Sequence, residues 1–214
     1  MKFWREPLLF TLLICCQSCG STSVPPQAKH YNANKNEAVA NQVKYMLQNL
    51  NPLSEWQKVN RVNQWINNQL QQSTDMNIWQ AEDYWASPLE ALRKEAADCE
   101  DYAVAKYLLL IEAGVPPSKL VLSHVDYQYQ EAPHMVLIYE NSEDNGFYVL
   151  DNIVSEIKPS FLRQDLTYKY SFNATTVFTG RPPSLTVVSG SNPNQIKVWA
   201  EVLQKWEGEK ALLD

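Results

Sequence analysis

The hydrophobic period of the chain changes after Gly114, and this change constrains the fold more than any other feature. Before it, apolar residues recur at helical spacing, as in Val39, Val43 and Leu50. Gly114 and the two prolines at 116–117 end the last of these helices. After them, the sequence has the alternation and turn chemistry of strands. Helices followed by an antiparallel sheet form the α+β pattern, and 214 residues are enough for a domain with a substantial core.

The sequence predicts helices at its start and end and strands between them. A capping box at Ser54 and Gln57 opens the second helix, and Ser87-Pro88-Leu89-Glu90 opens a short one. The segment 71–77 is predicted to be a polar loop. The other predicted elements are helices over 37–50, 54–70, 98–113 and 194–210, and strands over 119–130, 134–140, 147–151 and 170–178.

The first residues have the features of a bacterial export signal. A short positive head precedes an apolar run over 7–16, which is too short to span a bilayer as a mature helix. Residues 1–18 are therefore predicted to be a signal peptide of the lipoprotein type, with Cys19 as the lipidated residue and Cys16 as the alternative. An ordinary cleaved signal is the other interpretation. The polar, Pro-containing stretch 19–36 is predicted to be a tether.

Cys99 is the one cysteine that this interpretation leaves in the folded part, because the other three of the four lie at or before position 19. In an oxidising compartment cysteines usually pair, so a lone one is either buried and inert or kept for its chemistry. Cys99 lies in the first turn of a predicted helix. The free backbone N–H groups and the helix dipole favour a thiolate there.

His134 and Asp151 are predicted to complete a catalytic set with Cys99. His134 begins one strand of a predicted hairpin and Asp151 ends the next, so the two side chains should be neighbours. A thiol nucleophile needs a base, and the base needs a carboxylate that holds its tautomer. His124 lies within an alternating strand and is predicted to be structural. Asn152 is predicted to face away from the site, which favours Asp151 as the orienting residue.

Three acidic residues flank the proposed nucleophile: Asp98, Glu100 and Asp101. Negative charges this close raise the pKa of a thiol and oppose its ionisation. A hard cation with oxygen ligands would neutralise them, and calcium is the natural candidate outside the cytosol. The alternative is that Asp98 caps the helix and that the other two are ordinary first-turn acids. The residues alone leave both interpretations open.

The charge balance excludes one class of partner. The formal net charge is −6, and no basic block occurs anywhere in the sequence. A chain of this kind has no general electrostatic attraction to nucleic acid, so no nucleic-acid partner is expected.

Several segments together resemble the bacterial transglutaminase-like cysteine proteinases. The most specific is the run Asp-Cys-Glu-Asp-Tyr that contains Cys99, followed downstream by a histidine and an aspartate. The resemblance extends over residues 56–178. The segments that carry it are 82–85, 98–107, 134–137, 150–152 and 170–173.

The resemblance implies a papain-like, transglutaminase-like α+β fold over 37–180, in which the helix bearing the nucleophile packs on an antiparallel sheet. It implies Cys99 as nucleophile, His134 as base and Asp151 as orienting acid. It also implies a Ca²⁺ site beside the nucleophile. The metal ligands carried over are Asp98, Glu100 and Asp101.

The resemblance also implies a substrate and a partner. Substrates of the family are giant repeat adhesins of the cell surface, cut near the N-terminus at a pair of small residues, which controls attachment and biofilm formation. An inner-membrane cyclic-di-GMP receptor sequesters the protease. The enzyme is expected in the periplasm. Gly20 after the candidate lipid cysteine resembles the outer-membrane sorting pattern, so an outer-membrane anchor is expected.

Two other functions remain open from the sequence. The same three residues could serve a cell-envelope acyltransferase or a peptidoglycan-remodelling thiol enzyme, because a thioester can pass to an amine as well as to water. A lipid-anchored binding module without catalysis is the second alternative. Residues 181–214 lie beyond the segments of the resemblance and are expected to form a C-terminal extension with a helix, which serves either packing or docking.

Overall fold

The computed structural model describes the backbone of residues 26–213 and the side chains of residues 34–213. The predicted signal peptide over 1–18 and the candidate lipid sites Cys16 and Cys19 lie outside the described residues. Within the described range, none of the helices combines the length and the apolar character that crossing a membrane requires.

Along the described chain, helices precede and follow the strands of the large sheet, as the hydrophobic pattern of the sequence predicted. Capping boxes open α2 and α4, with Ser54 paired to Gln57 and Ser87 paired to Glu90. Both capping predictions are confirmed. The helices are α1 (Pro26–Leu50), α2 (Glu55–Gln69), α3 (Asp75–Trp79), α4 (Pro88–Lys94), α5 (Cys99–Glu112) and α6 (Lys197–Lys210).

The strands form one large antiparallel sheet and one small parallel pair. The pair joins β1 (Gln71–Gln72) to β2 (Ala96–Ala97) just before α5 begins. The large sheet has the order β6-β5-β4-β3-β7-β8-β9. Its strands are β3 (Leu120–Tyr127), β4 (Pro133–Asn141), β5 (Gly146–Leu150), β6 (Lys158–Pro159), β7 (Leu166–Phe172), β8 (Val177–Thr179) and β9 (Thr186–Val187).

Helix α5 is the centre of the core. All but a few of its residues are buried, and it packs against β4 and β3 on one side and α2 on another. Strand alternation divides the sheet into two faces. Leu122 and Leu137 join the core on the helix side, whereas Val125 and Val136 belong to a second apolar cluster. The predicted α+β class, with the helix that begins at Cys99 packed on an antiparallel sheet, is confirmed.

Three local predictions were wrong. Helix α1 begins at Pro26, so much of the predicted tether over 19–36 is helical. Proline is tolerated in a first helical turn, and no Pro or Gly follows it before Leu50 to interrupt the helix. The predicted polar loop over 71–77 contains β1 and the start of α3. The predicted strand over 170–178 is two strands, because Asn173 Oδ1 accepts the N–H groups of residues 175 and 176 and closes a turn.

The C-terminal segment is part of the domain and serves packing. Trp199, Val202 and Trp206 on one face of α6 are buried in the main core. The Trp199 ring contacts Tyr107 of α5 and Phe172 of β7 edge-on, with centroids 5.5 Å apart in both pairs. The predicted boundary at 180/181 therefore does not separate two structural units.

Candidate active site

Cys99 is the first residue of α5 and is half-buried in a cleft. Strand β2, which pairs with β1, ends just before this point. Asp98 is the N-cap residue and has an extended backbone, but its side chain makes no capping hydrogen bond. The free N–H groups of the first helical turn consequently lie beside the thiol. The Cys99 thiol donates a hydrogen bond to Glu100 Oε2 at 2.9 Å.

The hairpin of β4 and β5 brings His134 and Asp151 into contact, as the sequence predicted. Leu137 pairs with Leu150 across the hairpin, so the next residue, Asp151, follows the end of β5 near the start of β4. The His134 Nε2 to Asp151 Oδ1 distance is 2.9 Å, and both side chains are fully buried. An ionised carboxylate can only accept, so Nε2–H is the donor and Nδ1 is left as the base.

The surroundings of Asp151 keep it ionised. Burial by itself raises the pKa of a carboxyl group, but the pKa of Asp151 is lowered, because His134, the N–H of Ile153 and the charge of Arg163 all favour the carboxylate. Asn67 of α2 also donates to the backbone carbonyl of Asp151 at 2.9 Å. Asn152 makes no side-chain hydrogen bond within the described residues.

Cys99 and His134 line the same cleft, which has a volume of about 610 Å³. His134 Nδ1 is buried and has no hydrogen-bond partner among the described residues, so it is available as a base. His124 also lines the cleft, where its ring stacks on Tyr170 at a centroid distance of 5.1 Å. Burial lowers the pKa of His124, which favours a neutral ring.

The segment 82–85, one of those that carry the resemblance, contributes Glu82, Asp83 and Trp85 to the wall of the cleft. Trp85 lines the cleft, and Lys205 of α6 donates to its carbonyl at 2.9 Å and to Glu90 Oε2 at 3.1 Å. The same ammonium lies 3.8 Å from the centroid of the Tyr84 ring. Helix α6 therefore packs against this wall and stabilises it through Lys205.

A cluster of three carboxylates adjoins Cys99. Oxygen atoms of Asp75, Asp98 and Glu100 all lie within 4.8 Å of one another. Burial, followed by the negative charges of Glu100, Asp101 and Asp75, raises the pKa of Asp98 to about 10. Burial also raises the pKa of Asp75. Buried oxygens of Asp75 and Asp98 have no hydrogen-bond partner among the described residues. The donor set therefore fits a hard divalent cation such as Ca²⁺.

The structure brings together two of the three predicted metal ligands, Asp98 and Glu100. Asp101 lies outside the cluster, since its side chain is fully buried and its Oδ1 accepts the N–H of Ala86 at 2.6 Å. Asp75 takes the third place. Sequence reasoning missed Asp75, because it lies in the predicted polar loop over 71–77 and far from Cys99 along the chain.

The carboxylates oppose ionisation of the Cys99 thiol. Burial, the charge of Glu100 and the hydrogen bond to Glu100 raise the pKa of the Cys99 thiol far above its ordinary value. A hydrogen bond from the backbone of Met135 acts in the opposite direction without offsetting them. A positive charge on the carboxylate cluster would remove much of this opposition.

Comparisons with known proteins identify the family and the fold of the chain. The sequence model of the family described as bacterial transglutaminase-like cysteine proteinase matches residues 18–177. None of the curated proteins matches the chain. Among solved structures, Legionella pneumophila LapG is similar with a TM-score of 0.65 and 23% identity, over 80% of this chain and 96% of that one.

Two further structures of that Legionella protein are similar to the chain. The EGTA-treated form gives a TM-score of 0.67 and 24% identity, over 80% of this chain and 96% of that one. The calcium-bound form gives a TM-score of 0.62 and 27% identity, over 73% and 85%. The fold is thus that of LapG, and because the family match extends over most of the sequence, the chain belongs to the bacterial transglutaminase-like cysteine proteinases.

Proposed function

We propose that the chain is a calcium-dependent cysteine endopeptidase of the cell envelope that cuts a large surface adhesin near its N-terminus and thereby releases it. The observation that carries the proposal is the shared cleft of Cys99 and His134, with His134 held by Asp151 at 2.9 Å and the carboxylate cluster adjoining the thiol. Family membership supports the peptidase activity.

In the proposed reaction His134 acts first as base and then as acid. Its Nδ1 takes the proton of the Cys99 thiol, and the sulfur attacks the carbonyl carbon of the scissile peptide bond. Free N–H groups at the start of α5, including that of Cys99, can stabilise the oxyanion that forms. The protonated His134 gives its proton to the leaving amine. Water then attacks the thioester and regenerates the thiol.

Asp75, Asp98 and Glu100 are the proposed calcium ligands. Calcium bound there would supply positive charge beside the nucleophile. The uncompensated carboxylates of this chain support the assignment, as do the calcium-bound and EGTA-treated forms in which LapG has been solved.

We expect Asp75→Asn to weaken calcium binding roughly 10-fold or more, because the amide lacks the charge of one of three clustered carboxylates. Asp83→Asn is the matched control, since Asp83 is exposed on the same cleft but lies outside the cluster. Titration calorimetry with calcium measures both affinities. Equal affinities in the two variants would contradict a role for Asp75 as ligand.

The adhesin substrate and the location in the envelope are proposed from the sequence. The predicted export signal, the candidate lipid sites Cys19 and Cys16, and Gly20 support the proposal of an outer-membrane anchor on the periplasmic side. The family resemblance supports a giant repeat adhesin as substrate and an inner-membrane cyclic-di-GMP receptor as regulator.

The products distinguish the peptidase from the other functions. The chain is co-expressed with the N-terminal region of a large repeat adhesin, and the products are weighed by mass spectrometry. Two fragments whose masses sum to the substrate plus one water are expected for hydrolysis. A new isopeptide bond, or cut muropeptides with an intact adhesin, would contradict the proposal in favour of acyl transfer or peptidoglycan remodelling. An unchanged adhesin would favour the binding module.

A further inference from the structure

Arg163 donates a hydrogen bond to the carboxylate oxygen of Asp151 that His134 does not contact. Arg163 Nη2 donates to Asp151 Oδ2 at 2.9 Å, whereas Oδ1 accepts from His134 and, at 2.9 Å, from the N–H of Ile153. The Arg163 side chain is 2% exposed and that of Asp151 is not exposed at all. Both oxygens of the orienting carboxylate are consequently bound, each by a defined partner.

Arg163 is itself held from two directions. Asp165 accepts from Nε at 3.0 Å and from Nη2 at 2.8 Å, which fixes the plane of the guanidinium group. The backbone of Arg163 is tied to Ser160, whose carbonyl accepts the Arg163 N–H at 3.1 Å. Arg181, from the C-terminal segment, donates to the carbonyl of Ser160 at 2.9 Å and to that of Arg163 at 3.4 Å.

This arrangement has a direct consequence for His134. A buried carboxylate with one unbound oxygen can rotate or take up a proton, and either change removes the acceptor that keeps Nε2–H in place. A fixed guanidinium prevents both changes, since it favours the ionised carboxylate and restricts its orientation. The imidazole then keeps the tautomer with Nδ1 free for the thiol.

We propose that Arg163 is a positioning residue of the peptidase: it acts through Asp151 to hold His134 in the reactive tautomer. The inference rests on the proposed function and extends it by a fourth residue. No sequence motif pointed to Arg163, which is the C-cap of a short 3₁₀ helix over Ser160–Leu162.

The test compares two substitutions of similar length that differ in charge, Arg163→Met and Arg163→Lys, in the full chain with calcium. The probe is iodoacetamide, and the rate is read at the Cys99 peptide by mass spectrometry. We expect Arg163→Met to react roughly 10-fold to 100-fold more slowly than wild type, as the loss of an orienting outer partner does elsewhere. Arg163→Lys keeps the charge but not the planar fork, so its rate should fall between those of Arg163→Met and wild type. Arg61→Met, the same change at an exposed site, should match wild type.

A second readout follows the imidazole itself. Nitrogen-15 NMR of histidine distinguishes the two neutral tautomers. Wild type and Arg163→Lys should show His134 protonated at Nε2, whereas Arg163→Met should show a mixture. If Arg163→Met does not fold, Arg163→Gln replaces it, because a neutral amide is tolerated beside a buried carboxylate. Alkylation of Cys99 is then expected to be faster in Arg163→Lys than in Arg163→Gln.

The outcomes separate this inference from the function on which it rests. A wild-type rate no faster than that of the urea-unfolded chain would contradict the peptidase itself. If wild type is alkylated rapidly and Arg163→Met is alkylated equally rapidly, the positioning role alone is overturned. Equal alkylation rates of Arg163→Gln and Arg163→Lys would also overturn it. A slow Arg163→Met whose His134 stays protonated at Nε2 would also overturn it, because the loss would then not act through the tautomer.

Discussion

Replacing Cys99 by alanine is expected to abolish cleavage of the adhesin region, with a loss of about 10⁴-fold or more. In the proposed mechanism the Cys99 sulfur forms the covalent bond to the substrate. An enzyme loses nearly all activity when one member of such a catalytic unit is removed. The Cys99 side chain is half-buried and its thiol donates only to Glu100, so the fold should survive the change.

The control for this prediction is a thermal unfolding curve of Cys99→Ala, which should stay close to that of wild type. Loss of cleavage with retained stability identifies the nucleophile. Full cleavage by the alanine variant would show that another group carries the chemistry, and the mechanism proposed above would be wrong.

Removing calcium with EGTA is expected to give the second large effect, a loss of cleavage of roughly 100-fold. A neighbouring opposite charge favours the ionised form of a group by about one to three powers of ten, and the carboxylates beside Cys99 oppose the thiolate when nothing compensates them. Initial rates of cleavage in calcium, in EGTA, and after calcium is restored measure the effect.

Magnesium is the matched control for the ion. It demands a compact octahedral shell and keeps its waters, so it should restore less activity than calcium at a cluster of three carboxylates. Equal activity in EGTA and in calcium would contradict the calcium dependence, but it would not contradict the cysteine mechanism.

The part of the site that lies in local sequence patterns could be predicted. The helix start at Cys99 and the hairpin that joins His134 to Asp151 follow from spacing, turn residues and caps, which act over a few positions. Family resemblance then assigned their roles. The same local rules placed the capping boxes of α2 and α4.

The residues that sequence reasoning missed are those brought in from far along the chain. Asp75 lies near Cys99 because the β1–β2 pair sets the start of α3 beside the start of α5. A two-residue parallel pair has no recognisable sequence pattern. Arg163 approaches Asp151 through a turn without a motif.

The C-terminal segment illustrates a different limit. Its tryptophans at helical spacing predicted a helix but not which surface the helix would cover. In the structure, α6 buries Trp199 and Trp206 and places Lys205 against the carbonyl of Trp85 in the cleft wall. A boundary inferred from where a resemblance ends therefore does not coincide with the boundary of the folded unit.

The most direct test of the central claim, that Cys99 is a nucleophile activated by His134, needs no substrate. The rate of iodoacetamide alkylation at Cys99 is measured near neutral pH with calcium, in wild type and in His134→Gln. We predict rapid alkylation of wild type and a rate reduced at least roughly 10-fold in the variant, since the base that takes the thiol proton is gone. Equal, slow alkylation of both proteins would contradict the claim and leave Cys99 as an unreactive thiol.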